Sequence, residues 1–387
     1  MKILFIGTLY PKERENEIKS CFHFYDIPGN VLQWTLLNGF DRHVSTEIVA
    51  IPTLGRTPGR LKSSEFSHDK YSNDYCVGFY NLPIFKELTA SHSARHFIAS
   101  KNYDYIFIYS IGPSSLKIAS DYKKTHPNVK IVQMITDLPE FMNSSSNFIY
   151  RLLKNIEIQV DYKLMKCVDG FVLLAPQMVQ RLPINNRPWI CVEGIYNQHE
   201  TKEYQIKETN RVLLYSGNLD ARYGMLDLMD AFCMTNNDDF RLWICGDGDT
   251  VPEIKKRQTK DCRIEYKGCL SREDVLSLQK KATLLVNPRH STEEYTQYSF
   301  PSKTMEYMAS GTPTLMSRLK SLPNDYLQYL YTFDDESVEG MSDTISKILS
   351  KPLEELSSFG AKSSEFILKN KNSYKQVEKI VDFLKSL

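Results

Sequence analysis

The sequence predicts an α/β fold of two doubly wound, parallel-sheet domains. Short β-branched or aromatic runs alternate with longer amphipathic stretches. That alternation stops at a polar segment and then restarts. The 387 residues exceed one ordinary core and fit two domains. In the first half the strand candidates are KILFIG (2–7), STEIVAI (45–51), YCVGFY (75–80), YIFIYS (105–110), KIVQMI (130–135), GFVLLA (170–175) and WICVE (189–193). Helix-like stretches such as GNVLQWTLLNGF (29–40) and NFIYRLLKNIEIQVDYKLMK (147–166) lie between them. Near-continuous apolar strands flanked by helices predict a sheet covered on both faces. NQHETKEYQIKETN (197–210) lacks hydrophobic period and reads as the linker. Beyond it come RVLLYSG (211–217), RLWICG (241–246), RIEYKG (263–268), ATLLVNP (282–288) and PTLMS (313–317). The expected domains are 1–198 and 199–372, with a last helix over 373–387 whose apolar positions are Val377, Ile380, Val381 and Leu384. Thr250 to Glu253 and Ser373 to Gln376 each match a capping box, which marks a helix start.

Composition narrows the function. Forty-eight basic and 47 acidic residues give a net charge of +1, which removes any global electrostatic case for nucleic acid. The eight cysteines show no C-x-x-C and no metal-ligand spacing. Cys167, Cys191, Cys233 and Cys245 sit in apolar runs and read as reduced, buried hydrophobes of a cytosolic protein. The opening MKILFIG is too short in apolar core for a leader and reads as a first strand. No apolar run approaches membrane-spanning length, so no transmembrane helix is expected.

Chemistry concentrates in NPRHSTEEYTQYSFPSKTMEYMASGTPTL (287–315), which reads as strand end, polar loop and helix. An α/β protein builds its sites at such carboxyl ends of strands. Lys303 at the helix start suits a phosphate, and Glu306, one turn later on the same face, suits a sugar hydroxyl. A plain surface Lys–Glu pair is the competing reading. Gly246-Asp247-Gly248 also lies between strand and helix. A dinucleotide fingerprint would require glycine at 251, which is Val251, so a tight turn and a backbone approach to a nucleotide both stay open. Gly217 leaves room for a ligand beside the first strand of this half, and Arg222 could meet a phosphate there or simply be solvated.

Taken in order, YSGNL, the YG that follows, LWICGDGD, VNPR and SFPSKTMEYMASGTP cover roughly 211–316. They resemble the C-terminal domain of family 4 glycosyltransferases, which have the GT-B fold. MKILFIG, IVQMITDLPEFM (131–142), DGFVLLAPQM (169–178) and VEGIYN (192–197) agree more loosely with the first domain. The resemblance implies two Rossmann-like domains facing each other across a cleft, with the last helix crossing back to the first. It implies a retaining, metal-independent sugar transfer from a nucleoside-diphosphate-sugar to a hydroxyl acceptor, with no cofactor. Glu306 would hold the ribose and Lys303 the diphosphate, assisted by Arg289 or Arg222. Gly217, Asn218, Gly246, Gly248, Tyr298 and Ser299 complete the expected donor side. Gly7, Thr8, Gly112 and Asp137 form the expected acceptor side, Asp137 lying near the reacting sugar or else capping a turn.

The chain departs from the family pattern at three places. Tyr298 stands where the first glutamate of E-x7-E is expected, with Glu293 and Glu294 just upstream, and Asn218 and Tyr223 replace an arginine and a lysine. A catalytically inactive binding partner of the same fold and a nucleotide-sugar epimerase therefore remain rival readings, while a dehydrogenase is disfavoured by Val251. The expected partners are a nucleotide-sugar and a saccharide or lipid-linked saccharide. Cell-surface polysaccharide synthesis is the expected setting, in the cytoplasm. The polar segment 11–24 is long enough for a mobile acceptor loop. Arg56, Arg60 and Lys62, or the 147–166 segment with Arg151, Lys154, Lys163 and Lys166, could touch an anionic membrane on its inner face or be merely solvated.

Overall fold

A computed structural model describes residues 1–21, 26–54, 58–82, 85–141, 148–197 and 206–387. Arg56, positions 22–24 of the long polar segment and 198–205 of the linker lie outside the described residues, as does the Arg151 side chain. The chain forms two compact units, Met1–Ile195 with Ser373–Leu387, and Tyr196–Asn372.

In the first unit the strands are β1 (Lys2–Gly7), β2 (Ser45–Ala50), β3 (Arg60–Leu61), β4 (Ser64–Phe66), β5 (Asp74–Cys76), β6 (Phe79–Tyr80), β7 (Tyr105–Tyr109), β8 (Lys130–Ile135), β9 (Gly170–Leu173) and β10 (Trp189–Cys191). Eight form one sheet in the order β10-β9-β8-β7-β1-β2-β5-β4, parallel except for β4 on β5. Consecutive buried residues in β1, β7 and β8 confirm a sheet covered on both faces. The run YCVGFY is not one strand. It divides into β5 and β6, and β6 pairs with β3 in a separate antiparallel ribbon. A Cβ on Gly78, between them, would stand 2.5 Å from the Ser63 backbone nitrogen, so the chain can pass there only as glycine.

The helix Ser373–Lys385 packs on this first unit, with Val377, Ile380, Val381 and Leu384 buried. Gly39 makes room for Val377, and Gly170 for Phe383. Its expected capping box is absent. The Gln376 amide instead donates to the Gly194 carbonyl at 2.7 Å, because the side chain is fully buried.

The second unit has β11 (Arg211–Ser216), β12 (Phe240–Cys245), β13 (Ile264–Gly268), β14 (Leu284–Asn287), β15 (Thr314–Ser317) and β16 (Tyr331–Phe333). They form an all-parallel sheet in the order β13-β12-β11-β14-β15-β16. Alternate residues feed two cores. Leu213, Leu242, Ile244, Leu284 and Val286 pack with Leu228, Phe232 and Ile345 on one face, and Val212, Leu214, Trp243 and Leu285 with Tyr307 on the other. Strand β16 is short and half polar, and the sequence did not mark it. The helix Val251–Gln258 starts without the predicted box, since the Thr250 hydroxyl donates to the Leu219 carbonyl at 2.6 Å. Cys233 is exposed rather than buried, because it is the last residue of the helix Met225–Cys233, and Cys167 and Cys191 are only half-buried. The cysteines described are all free. Among the described residues no helix is long and apolar enough to cross a membrane.

Candidate functional site

Chain direction across the second sheet reverses between β11 and β14, which opens a crevice at their carboxyl ends. Gly217 and Asn218 follow β11, Gly246 and Gly248 follow β12, and Arg289 lies just past β14. The two glycines after β12 have a packing reason. Gly246 has φ +136°, and a Cβ there would fall 1.8 Å from the Gly217 carbonyl oxygen. One on Gly248 would collide with the Leu219 backbone at 2.4 Å. They let two βα turns lie against each other, tied by the Leu219 N–H donating to the Asp247 carbonyl at 2.9 Å. Asn218 is exposed, and its side chain accepts from the Asp220 N–H.

The helix Ser302–Ala309 is fixed to this edge by Tyr307. Residues of β11 alternate between their two neighbours, and Ser216 turns its N–H and C=O toward β14. The β11–β14 ladder has already ended at Leu214 and Leu285. The buried Tyr307 hydroxyl fills the missing rung, accepting from the Ser216 N–H at 2.8 Å and donating to its carbonyl at 2.9 Å. Glu306 is thereby placed at the crevice, with 14% of its side chain exposed. Its Oε1 accepts from Gln279 Nε2 at 2.7 Å and from Lys303 Nζ at 3.2 Å, while Oε2 faces Arg272 Nη1 at 3.4 Å. The Lys303–Glu306 pair is thus formed, yet it is part of a network rooted in the core, unlike a free surface pair. Burial pushes the Cys245 thiol up to about 11, with Lys267 and Lys303 opposing the rise.

On the other side of the crevice the Arg289 guanidinium lies 4.3 Å from the Tyr223 ring centre. Tyr295 meets Tyr223 edge-on at 6.4 Å. Burial raises the Tyr295 phenol pKa, and the positive Arg289 opposes it. Arg222 is more exposed and pairs with Asp220 at 3.2 Å. Tyr298 is only 7% exposed and offers a ligand little surface. Ser299 donates to the Tyr295 carbonyl at 3.4 Å. His290, next to Arg289, bridges Asp227 at 2.7 Å and Glu336 at 3.5 Å, which ties this loop to the helical layer. Tyr307, Gln279, Arg272 and Tyr295 escaped the sequence reading, and Tyr223 was noted there only as a departure from the family pattern. Gln279 had a signal: it is the one polar residue on the face marked by Val275, Leu278 and Ala282.

In the first sheet the reversal falls between β1 and β7. Gly7 and Thr8, Ser110 to Gly112, and Thr136 with Asp137 follow the adjacent strands β1, β7 and β8, so the expected acceptor residues share one edge. Thr8 is held by Gln33, whose Oε1 accepts its N–H at 2.7 Å. Gly112 precedes the helix Pro113–Thr125, with open space where a Cβ would be. Burial by the surrounding chain and the nearby Asp26 carboxylate raise the Asp137 pKa, and the Thr136 hydroxyl opposes them. The carboxyl keeps contact with solvent, which limits the effect. Asp26, which caps the helix Ile27–Phe40 by accepting from the Gly29 N–H, was not singled out in the sequence.

Elsewhere, Asp41, His68 and Asp69 are close enough to share a metal. His68 is already committed, with Nδ1 2.6 Å from the buried Asp74 and Nε2 3.3 Å from Asp41. Burial alone would lower its pKa, but hydrogen bonds to Asp41 and Asp74 raise it to about 10, and a protonated imidazole is no ligand.

The model of the group 1 glycosyl transferases matches residues 197–366, the segment that carries this crevice. Residues 197–366 belong to that family. The fold of the whole chain is that of GT-B glycosyltransferases. Sucrose-phosphate synthase from Thermosynechococcus elongatus is 12% identical with a TM-score of 0.67, covering 100% of this chain and 98% of that one. HepE of Anabaena in complex with UDP is 13% identical with a TM-score of 0.65 and full coverage of both chains. WaaG, a glycosyltransferase involved in lipopolysaccharide biosynthesis, is 13% identical with a TM-score of 0.62, again with full coverage of both. No curated protein matches the chain in sequence. Lys303, Glu306 and Arg289 all lie within the matched segment, on the stretch that follows β14.

Proposed function

We infer that the chain transfers a sugar from a nucleoside-diphosphate-sugar to a hydroxyl acceptor, retaining configuration and needing no metal. The observation that carries this is the Glu306 carboxylate, rooted through Gln279 and Tyr307 at the crevice of a group 1 glycosyl transferase domain, with Lys303 one turn before it. In this reading Glu306 accepts from the ribose hydroxyls. Lys303, the free N–H groups opening its helix, and Arg289 neutralise the departing diphosphate. Arg289 takes over the charge absent at Asn218 and Tyr223, its guanidinium set in place by the Tyr223 ring. The acceptor meets the edge of the first sheet that carries Thr8, Gly112 and Asp137. The UDP named for HepE supports a uridine donor as the first probe. Calorimetry with UDP, GDP and ADP tests the reading. One of them should bind, and Lys303→Ala should weaken it about tenfold or more, as loss of a charge-assisted contact requires. If none binds, the chain is not a nucleotide-sugar enzyme. Binding without donor hydrolysis or transfer would favour the inactive partner, consistent with a tyrosine at 298.

Peripheral membrane contact in cell-surface polysaccharide synthesis is part of the same proposal. The helix Phe148–Leu164 exposes Leu152 (52%), Ile156 (54%) and Val160 (43%) at a four-residue spacing, beside Lys163. An apolar stripe with cationic neighbours suits an anionic bilayer surface. The protein should sediment with anionic liposomes at low salt, and Leu152→Ser with Ile156→Ser should release it. Unchanged sedimentation of that variant would remove this helix from the contact.

A further inference from the structure

We propose that Gln279 is the positioning residue for Glu306, governing how the site recognises ribose while leaving the diphosphate grip untouched. The inference rests on the donor-site reading of Glu306. Gln279 is fully buried in the helix Arg272–Lys281, and its amide nitrogen donates to Glu306 Oε1 at 2.7 Å and to Ser216 Oγ at 3.2 Å. Both donor positions of one amide are thus spent on the strand end and on the carboxylate. Its carbonyl oxygen is left buried without a donor. The opposite orientation would aim that oxygen at a carboxylate, so the charge of Glu306 dictates the arrangement.

The two oxygens of Glu306 then have different tasks. Oε1 is fixed from inside by Gln279 and approached by Lys303 at 3.2 Å. Oε2 has Arg272, whose side chain is 62% exposed, at 3.4 Å, a contact that an arriving hydroxyl can displace. Without the Gln279 amide, Glu306 would be free to swing toward the exposed Arg272 and present neither oxygen to a ligand. The segment that supplies Gln279 is itself fixed, since the Thr312 hydroxyl donates to the Gln279 backbone carbonyl at 2.7 Å.

The test compares two probes by calorimetry on the full chain, UDP and 2′,3′-dideoxy-UDP (or the GDP or ADP pair if one of those binds). Gln279→Met keeps the volume and removes the amide. It should weaken UDP about tenfold and leave the dideoxy compound unchanged. Gln279→Glu offers a second readout. Protonated, the new carboxyl donates to Glu306 as the amide did; as pH rises and both groups ionise, they repel. UDP binding to this variant should therefore fall with rising pH where the wild type stays level. Equal loss of both nucleotides in Gln279→Met, or no loss, overturns the proposal, as does a level pH profile for Gln279→Glu. If the wild type binds no nucleoside diphosphate, the donor reading itself fails and takes this inference with it.

Discussion

Replacing Tyr307 by phenylalanine removes one oxygen from the centre of the second unit. That oxygen satisfies two backbone groups, the Ser216 N–H at 2.8 Å and the Ser216 carbonyl at 2.9 Å, at a place closed to water. An unsatisfied buried donor or acceptor costs about 1–3 kcal/mol, so the two together threaten about 2–6 kcal/mol. Phenylalanine recovers the desolvation of the lost hydroxyl, roughly 1–3 kcal/mol. The net loss expected is about 2 kcal/mol, since the ring stays in place and only the small volume of the hydroxyl is vacated. For a unit of this size each kcal/mol lowers the melting temperature by roughly 2–4 °C, which gives a fall of about 4–8 °C. Scanning calorimetry of the full chain resolves that shift in the transition of the second unit, and added UDP should raise that transition less in the variant than in the wild type. A melting temperature within about 1 °C of the wild type would refute the reasoning, because it would mean that Ser216 finds other partners and the hydroxyl is no rung of the sheet.

Three further outcomes follow from the geometry. Gly246→Ala sets a Cβ 1.8 Å from the Gly217 carbonyl at a φ of +136°, so it should cost more than about 3 kcal/mol by urea unfolding; soluble, wild-type stability would show that the two turns separate freely. His68 has its folded pKa raised to about 10 from an ordinary 6.5. Its stabilising contribution is fully present below about pH 6.5 and is lost as pH rises through about 10. His68→Asn should cost about 3 kcal/mol at neutral pH and flatten the alkaline limb of the stability curve, whereas an unchanged limb would assign that limb to other groups. Asp137→Asn should slow transfer by about tenfold or more while leaving UDP affinity within a factor of about two, and equal loss of both would move Asp137 away from the acceptor.

Much of the fold was legible because its strands are buried on both faces, so β1, β7, β8, β11 and β12 are apolar over most of their length. The misreadings arose where pairing rather than burial decides. YCVGFY is continuous in composition but broken by a glycine that must pass the Ser63 backbone. Two capping boxes matched in letters, but Thr250 and Gln376 found carbonyls of distant segments within reach. Lys303 and Glu306 stood out by their spacing and setting. Their support did not, because Tyr307, Ser216 and Gln279 meet only once three separate elements have packed, and a buried tyrosine inside an apolar helix looks like core. Arg289 against Tyr223 is likewise a contact across 66 residues that no local pattern announces.

The return of the helix Ser373–Lys385 to the first unit has a consequence for order of assembly. Gly39 and Gly170 are shaped to receive Val377 and Phe383, which follow the whole second unit along the chain. During synthesis the second unit can therefore complete its core while the first still lacks the layer over those two glycines. A sheet whose strands emerge first must wait, with part of one face bare, for the segment made after Asn372.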